Sequence, residues 1–195
     1  MAQLKELLIE QLEGLLDAET QLTRALPKMA EAANNEKLKE ALEHHLHQTQ
    51  GHVERLRKVL QNLGESAEAK PCRAMTGLIE EGQEIIDEGS EKEPLAADLA
   101  LIAAAQKVEH YEISGYGTAR SLARQIGEME CARMLTHTLG EEESADFLLT
   151  SIADPLLQQA TLDDKGADTN LESATGEKRG VPAGASARRK TPSKR

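Results

Sequence analysis

Apolar residues recur every three or four positions along most of the first 160 residues. This spacing places them on one face of an α-helix, and it predicts four long helices over roughly residues 2–33, 36–63, 94–126 and 128–160. A similar pattern over residues 72–88 predicts one shorter helix between the two pairs. No segment of useful length alternates apolar and polar residues as a half-buried strand does. We therefore predict an all-α fold, a four-helix bundle with an additional short helix.

Residues that favour turns separate these segments. "NN" at 34–35 ends the first helical pattern, and "GESAEAKP" at 64–71 is typical of a loop. "GSEKEP" at 89–94 predicts a second loop, and Gly127 interrupts the last two helices. The chain is therefore expected to form two helical hairpins joined through the short helix.

Several residues predict details of the helix ends. Ser90 and Glu93 have the spacing of a capping box, and Pro94 suits a first helical turn. Pro27 and Pro155 fall inside helical patterns, where proline removes a backbone donor. We expect a kink or an early helix end at both prolines.

The composition changes near residue 162. Residues 163–195 have no apolar period and contain eight Lys/Arg against five Asp/Glu. We expect a bundle domain over residues 1–162, with a charge of −14, and a disordered basic tail over 163–195. The acidic bundle argues against binding nucleic acid, except weakly through the tail.

The composition also bears on location. Aromatic residues make up 2% of the chain, so the core must consist of aliphatic side chains, which suits packed helices. No apolar run approaches the length of a membrane span, and the N-terminus has no secretory pattern. The two cysteines form no CxxC pair and are interpreted as reduced. We expect a cytoplasmic protein without a membrane interaction.

Each long helix carries polar side chains in the middle of its apolar face. The segment "HHLHQTQGH" at 44–52 holds four of the six histidines, two of which, His44 and His47, fall off that face. The polar positions on the four faces are Glu19 in the first helix, His45, Gln48 or Thr49 and His52 in the second, Glu109 and Glu112 in the third, and Glu142 with Asp146 in the fourth.

In an antiparallel bundle these polar positions lie at similar depth. Several unpaired carboxylates would be costly to bury, and a pair of divalent cations would compensate them. Carboxylate-bridged di-iron and di-manganese centres in bundles use such residues. Taken singly, each residue has an ordinary explanation: a Glu can reach solvent from the edge of a face, a histidine can be hydrogen-bonded in the core, and Glu142 lies in the charge run "EEES".

A weak internal repeat supports a shared centre. Superposition of Glu19 on Glu109 pairs Gln48 with Glu142 and His52 with Asp146, if the loops differ by four residues. A duplicated hairpin would place both halves around one site.

Five stretches carry a resemblance to a known family. They are "DAETQLTRALPKMAEAANNEKLKEAL", "HHLHQTQGHVERL", "GLIEEGQEII", "LIAAAQKVEHYEISGYGT" and "TLGEEESADFLL", within about residues 4–154. With these the chain resembles the YciE/YciF-type ferritin-like proteins, a bacterial stress-associated family. The resemblance implies a ferritin-like bundle with a dinuclear metal centre, usually assembled as a homodimer. The tail lies outside it.

The resemblance also implies a ligand set. The positions that carry over are Glu19, His45, Gln48, His52, Glu109, Glu112, Glu142 and Asp146. Gln48 stands where Glu is common in the family, so one negative charge is lost and binding of a second metal should be weaker. Oxygen-rich ligation with one or two imidazoles suits Fe or Mn better than Zn or Cu.

Three functions remain open. The first is a di-metal protein that handles iron, oxygen or peroxide, with Glu19 and Glu109 as bridging carboxylates. The second is a non-enzymatic helical stress adaptor with a vestigial metal site. The third is a sequestering protein of the Dps type, against which the charge of the bundle argues. No phosphate loop, nucleophile elbow or HExxH motif is present, and no catalytic residue can be assigned.

A homodimer is expected on two grounds. One is the resemblance, and the other is the set of apolar residues of the short helix: Met75, Leu78, Ile79, Ile85 and Ile86. The alternative is that this helix covers only its own bundle.

Overall fold

The structure, a computed structural model, describes the backbone of residues 2–176 and the side chains of residues 2–162. Five helices follow one another: α1 (Ala2–Ala32), α2 (Glu36–Asn62), α3 (Arg73–Gly89), α4 (Pro94–Gln125) and α5 (Met129–Gly176). No strand occurs between residues 2 and 176. The predicted all-α architecture, with a short helix between two pairs of long ones, is confirmed.

Local interactions explain where several helices begin and end. The side chain of Asn35 accepts hydrogen bonds from the backbone nitrogens of Lys37 and Leu38, at 3.0 and 3.2 Å, and so caps α2. Gly64 and Gly127 adopt φ values of 82° and 86°, which glycine tolerates best, at the turns after α2 and α4.

The expected capping box is wrong, and of the kink or early end expected at the two prolines, the early end does not occur. Glu93 is the N-cap of α4 but makes no side-chain capping bond, and the Ser90 hydroxyl donates instead to the Asp87 carbonyl at 3.2 Å. Pro94 does occupy the first turn, where its missing N–H costs nothing. Pro27 and Pro155 end neither helix, since α1 and α5 continue through them.

The core consists of two apolar clusters at different levels of the bundle. One joins Leu8, Leu12 and Leu15 of α1 to the second half of α2, the second half of α4 and the start of α5. The other joins Leu22 and Leu26 of α1 to the opposite halves of these helices. Burial of each such leucine contributes about 1.5–3 kcal/mol to folding. The two clusters leave a level between them, which α1 crosses at Glu19.

Helix α3 lies against α1 and α4. Its Met75 is fully buried, and Leu78, Ile79 and Ile86 pack against the second cluster. The backbone nitrogen of Cys72, just before α3, donates to the Asp17 carboxylate at 2.7 Å. The apolar face of α3 therefore packs in part against its own bundle, and its role in a homodimer stays a prediction.

The chain divides into two units, Met1–Ala160 and Thr161–Arg195. Helix α5 is assigned as far as Gly176, beyond the end expected near residue 160. Residues 177–195, and the side chains from 163 onward, lie outside the described part, so the disordered basic tail stays a prediction. Among the described helices, none combines the length and the apolar character that crossing a membrane requires.

Candidate metal centre

The polar residues of the four apolar faces meet at the level between the two clusters. Six of them are at most 5% exposed: Glu19, His45, His52, Glu109, Glu112 and Glu142. Their ligand atoms form two groups, in each of which the atoms lie within 4.8 Å of one another. The first group is His45, Glu109, Glu112 and Glu142, and the second is Glu19, His52 and Glu142.

Glu142 belongs to both groups, because α5 places its carboxylate between the two histidines of α2. Glu19 and Glu109 belong to one group each. The expectation that Glu19 and Glu109 are the two bridging carboxylates stays a prediction. Glu142 is the carboxylate that the two groups share.

The two histidines approach the carboxylates through different ring nitrogens. Nε2 of His45 lies 3.3 Å from Glu109 and 3.6 Å from Glu142. Nδ1 of His52 lies 2.9 Å from Glu142 and 3.2 Å from Glu19. These short distances lack the alignment of hydrogen bonds, since both nitrogens are without a hydrogen-bond partner.

Several carboxylate oxygens of the centre also lack a hydrogen-bond partner. They are both oxygens of Glu112, both of Glu142, Oε2 of Glu19 and Oε2 of Glu109. Buried polar groups in native proteins are nearly always hydrogen-bonded, and an unpaired one costs about 1–3 kcal/mol. Four buried carboxylates with free oxygens, beside two imidazole nitrogens, form a donor set that fits divalent cations.

Burial is the main influence on the pKa values of these carboxyl groups. It raises the pKa of Glu19 to about 7, against the opposing effect of His52. Burial, followed by the Glu142 charge, raises the pKa of Glu109 well above its usual range. Burial and the neighbouring Glu19 charge do the same to Glu112. Without cations, the bundle therefore favours protonated carboxyl groups here.

The pKa values of the two imidazoles shift in opposite directions in this environment. Burial disfavours the imidazolium form and lowers the pKa of His45. At His52 burial acts in the same direction, but the contacts with Glu142 and Glu19 outweigh it and raise the pKa to about 10.

Two of the predicted site residues lie beside the two ligand groups: Gln48, which contacts His45, and Asp146, whose charge contributes to the raised pKa of Glu109. Gln48 is half-buried, and its Oε1 lies 3.4 Å from Nδ1 of His45, on the side of the ring away from the carboxylates. Asp146 is 24% exposed and contacts Gln106 at 3.0 Å and His110 at 3.4 Å. Because Asp146 faces the edge of α4, the repeat that paired it with His52 does not extend to this position.

The structure adds residues that the sequence did not assign to the site. The Tyr116 hydroxyl, which is fully buried, donates a hydrogen bond to Glu19. Thr49 is fully buried with its hydroxyl oxygen unpaired. Glu141 lies behind His52 and contacts Arg55. Both Tyr116 and Thr49 lie on the apolar faces, which is the signal that could have included them; Glu141 gives no such signal.

Comparison with known proteins places the chain in a family. Residues 3–162 match the family described as Domain of unknown function (DUF892). The chain belongs to this family. The DUF892 match spans all the residues of the candidate centre and ends at the last residue whose side chain is described.

One relative, from Escherichia coli, is similar to this chain both in sequence and in its solved structure. Protein YciF of Escherichia coli is 45% identical over 154 residues, which cover 78% of this chain and 92% of that protein. The crystal structure of the E. coli stress protein YciF superposes with a TM-score of 0.77 at 43% identity, over 81% of this chain and 99% of that one. This match confirms the ferritin-like helical bundle.

A second solved structure, YcfI from Rhodopseudomonas palustris, is 40% identical with a TM-score of 0.71, over 75% of this chain and 92% of its own. A protein from Xanthomonas campestris pv. campestris shares the fold at 18% identity, with a TM-score of 0.65 over 83% of this chain and 99% of its own.

Proposed function

We propose that this chain is a dinuclear Fe or Mn carboxylate protein that acts in a stress response through iron, oxygen or peroxide handling. The observation that carries the proposal is the position of Glu142, which is common to two adjacent groups of buried ligand atoms. A single carboxylate with two free oxygens, shared by two such groups, suits a pair of cations better than one cation.

The charges of the centre support this number of cations. Four carboxylates, those of Glu19, Glu109, Glu112 and Glu142, together carry −4 when ionised, and two divalent cations carry +4. Full ionisation without cations is unfavourable, as the raised carboxyl pKa values show. Oxygen-rich donors with two imidazoles favour Fe or Mn over softer metals.

The protein's own residues would hold and shield the cations. When bound, such a pair supplies redox and Lewis-acid chemistry toward dioxygen or peroxide. Tyr116 fixes one oxygen of Glu19 with its hydroxyl, which leaves Oε2 free. The apolar clusters on either side exclude water, so the carboxylates interact strongly with bound charge.

The likeness to YciF supports the stress-related part of the proposal, because that protein is described as a stress protein and is 45% identical. A cytoplasmic location and a homodimer belong to the same proposal. Four apolar side chains of α3 are only partly buried and could contribute to such a dimer: Leu78, Ile79, Ile85 and Ile86. Helix α5 offers exposed apolar side chains, among them Phe147, which is 73% exposed.

Metal-dependent melting of the metal-free protein tests the function. Addition of Fe(II) without oxygen, or of Mn(II), at about 100 times its Kd should stabilise the fold by about 2.7 kcal/mol for each ion bound. This corresponds to a rise of roughly 5–10 °C in Tm. Metal analysis of the purified wild type should give two ions per chain.

Adjacent residues of α5 give a matched pair of variants. Glu142→Ala removes the shared buried carboxylate and should abolish the rise in Tm, as should Glu109→Ala. Glu143→Ala removes an exposed carboxylate and should leave the rise unchanged. If the wild type shows no metal-dependent shift and Glu142→Ala behaves like it, the metal function is wrong and the stress adaptor becomes the better hypothesis.

A further inference from the structure

A carboxylate outside the two ligand groups is hydrogen-bonded to the outer ring nitrogen of His52. Oε2 of Glu141 lies 3.1 Å from Nε2 of His52, in a hydrogen bond that connects α5 to α2. The opposite ring nitrogen, Nδ1, faces Glu19 and Glu142. The imidazole therefore spans the distance between the interior of the centre and a carboxylate at its rim.

Glu141 is itself held in place. Arg55, one helical turn after His52 on α2, donates through Nη1 to the same Oε2 of Glu141 at 2.7 Å, and also donates to the hydroxyl of Thr138. His137 contacts this oxygen at 3.1 Å from the same helix as Glu141. The Glu141 side chain is 24% exposed, so its charge remains partly solvated.

Hydrogen bonding at one ring nitrogen decides which nitrogen can bind a metal. A neutral imidazole has one N–H and one lone pair, and an acceptor at Nε2 keeps the proton there. The lone pair is then on Nδ1 and points at Glu19 and Glu142. In known metal sites a carboxylate behind a histidine orients the ring and increases its basicity.

We propose that Glu141 is a positioning residue that fixes the ring and tautomer of His52, so that His52 binds metal through Nδ1. The proposal rests on the metal function proposed above, but the hydrogen bond itself can be tested without metal. Nothing in the family match assigns Glu141 a role, and the adjacent Glu142 is the residue that faces the interior.

His45 provides an internal comparison. It faces the carboxylates through Nε2, and its outer nitrogen, Nδ1, contacts the neutral amide oxygen of Gln48 at 3.4 Å. The two imidazoles therefore present opposite nitrogens to the centre. Only His52 has a charged acceptor behind it, at a shorter distance.

Nuclear magnetic resonance of the wild type, loaded with Zn(II) as a diamagnetic probe, tests the tautomer directly. Long-range proton–nitrogen spectra should show His52 with its proton on Nε2 and the metal on Nδ1, and His45 the reverse. A proton on Nδ1 of His52, with the metal on Nε2, would overturn the proposal. This measurement needs no variant and does not depend on how well a variant folds.

Variants at position 141 test the positioning role. Glu141→Ala should weaken Zn(II) affinity, measured by chelator competition, about 10–100-fold. Glu141→Gln keeps an acceptor oxygen and should restore affinity to within a few-fold of the wild type. Glu143→Ala, two positions along the same helix, should change nothing. Equal affinities for the wild type and for Glu141→Ala, in a folded protein, would contradict the role.

Hydrogen exchange in the metal-free protein separates this proposal from the metal function. The Nε2 proton of His52 should be protected in the wild type and in Glu141→Gln, and unprotected in Glu141→Ala. If the wild type responds to neither Fe(II) nor Mn(II), the metal function fails, while the exchange result still decides whether Glu141 holds His52. Equal exchange in all three proteins would overturn the positioning role.

Discussion

At the scale of single residues, Glu112 shows how the buried carboxyl groups of the centre reduce the stability of the fold. Its side chain is fully buried, and neither carboxylate oxygen has a hydrogen-bond partner. Burial, followed by the charges of Glu19 and Glu142, raises its pKa well above the usual range. Under the proposed function, a bound cation would compensate the cost of burying this carboxylate.

Glu112→Gln should therefore stabilise the metal-free protein and weaken metal binding. At pH 8 we expect a gain of about 1–3 kcal/mol in the free energy of unfolding, since an isosteric amide avoids the cost of burying an ionisable group. The metal-dependent rise in Tm should be smaller than in the wild type. Urea titrations with and without Mn(II) measure both effects, and a variant less stable without metal would contradict this account.

The same carboxyl groups determine how stability depends on pH. A group whose pKa is higher in the folded state contributes stability that is complete below its unfolded value and is lost as pH rises. For Glu19 this loss of stability occurs between about pH 4.5 and about pH 7. Glu109 and Glu112, whose pKa values are also raised, extend the loss to higher pH. His52, whose pKa is raised, adds a further loss of stability between about pH 6.5 and about pH 10. His45, whose pKa is lowered, instead reduces stability as the pH falls below about 6.5.

The metal-free wild type should thus unfold more easily at pH 8 than at pH 5.5, and the advantage of Glu112→Gln should shrink at the lower pH. Urea titrations at the two values measure this difference. Greater stability of the metal-free wild type at pH 8 would show that the buried carboxyl groups are compensated by something other than protons.

The helical period allowed six buried residues of the centre to be predicted from the sequence. A side chain in the middle of an apolar face has to enter the core wherever that face packs. Asp146 follows Glu142 by one turn and shares its face, yet it lies against Gln106 of α4. The contact of Glu141 with Arg55 of α2 also depends on how neighbouring helices are aligned, which spacing along one helix does not determine.

At the scale of the elements, α1 and α4 approach closely beside the centre. A Cβ atom added to Gly115 would lie 2.8 Å from Cδ2 of Leu15, whose side chain is 2% exposed. The next residue, Tyr116, makes the hydrogen bond to Glu19. The absence of a side chain at 115 therefore lets these helices come near enough for that bond.

Replacing either of two glycines of α4 by alanine should separate the effect of side-chain packing on stability from that of helix propensity. Gly117 has no neighbouring atom within 4 Å of an added Cβ, so Gly117→Ala should stabilise the protein by about 0.5–1 kcal/mol. Gly115→Ala has the same intrinsic advantage but crowds Leu15, and it should be less stable than Gly117→Ala by about 1–3 kcal/mol.

Chemical denaturation of the two variants gives this difference, and a Leu15→Ala background provides the control. With Leu15 shortened, the penalty at position 115 should largely disappear, because the two side chains no longer meet. Equal stability of Gly115→Ala and Gly117→Ala in the wild-type background would mean that α1 and α4 are not in close contact here.

The elements were predictable where a strong local signal marks their ends. Asn35 and Gly127 separate helices as expected, since capping and left-handed backbone are properties of one or two residues. The capping box at Ser90 was not predictable in this way, because Ser90 instead bonds the end of α3. The prolines did not end helices, since packing along the apolar face outweighs one lost hydrogen bond.

At the scale of the whole molecule, the described core ends well before the C-terminus. Among the α5 side chains that the structure describes, those up to residue 162, the last buried apolar one is Ile152, and Leu156 packs only partly against the second cluster. Residues 163–195 carry eight Lys/Arg against five Asp/Glu, opposite in sign to the charge of residues 1–162. Folding of the bundle and the properties of this segment should therefore be separable.

A chain that ends at residue 162 should keep the bundle and its metal response. Because no described core residue is removed, its Tm should stay within about 2 °C of the full chain, as expected for changes outside the core. The increase in Tm on adding Mn(II) should be the same in both proteins, since every residue of the candidate centre is retained. Circular dichroism melting with and without metal tests both points. Loss of cooperative unfolding on truncation would mean that the segment after 162 contributes to the core, and that the boundary drawn from composition is misplaced.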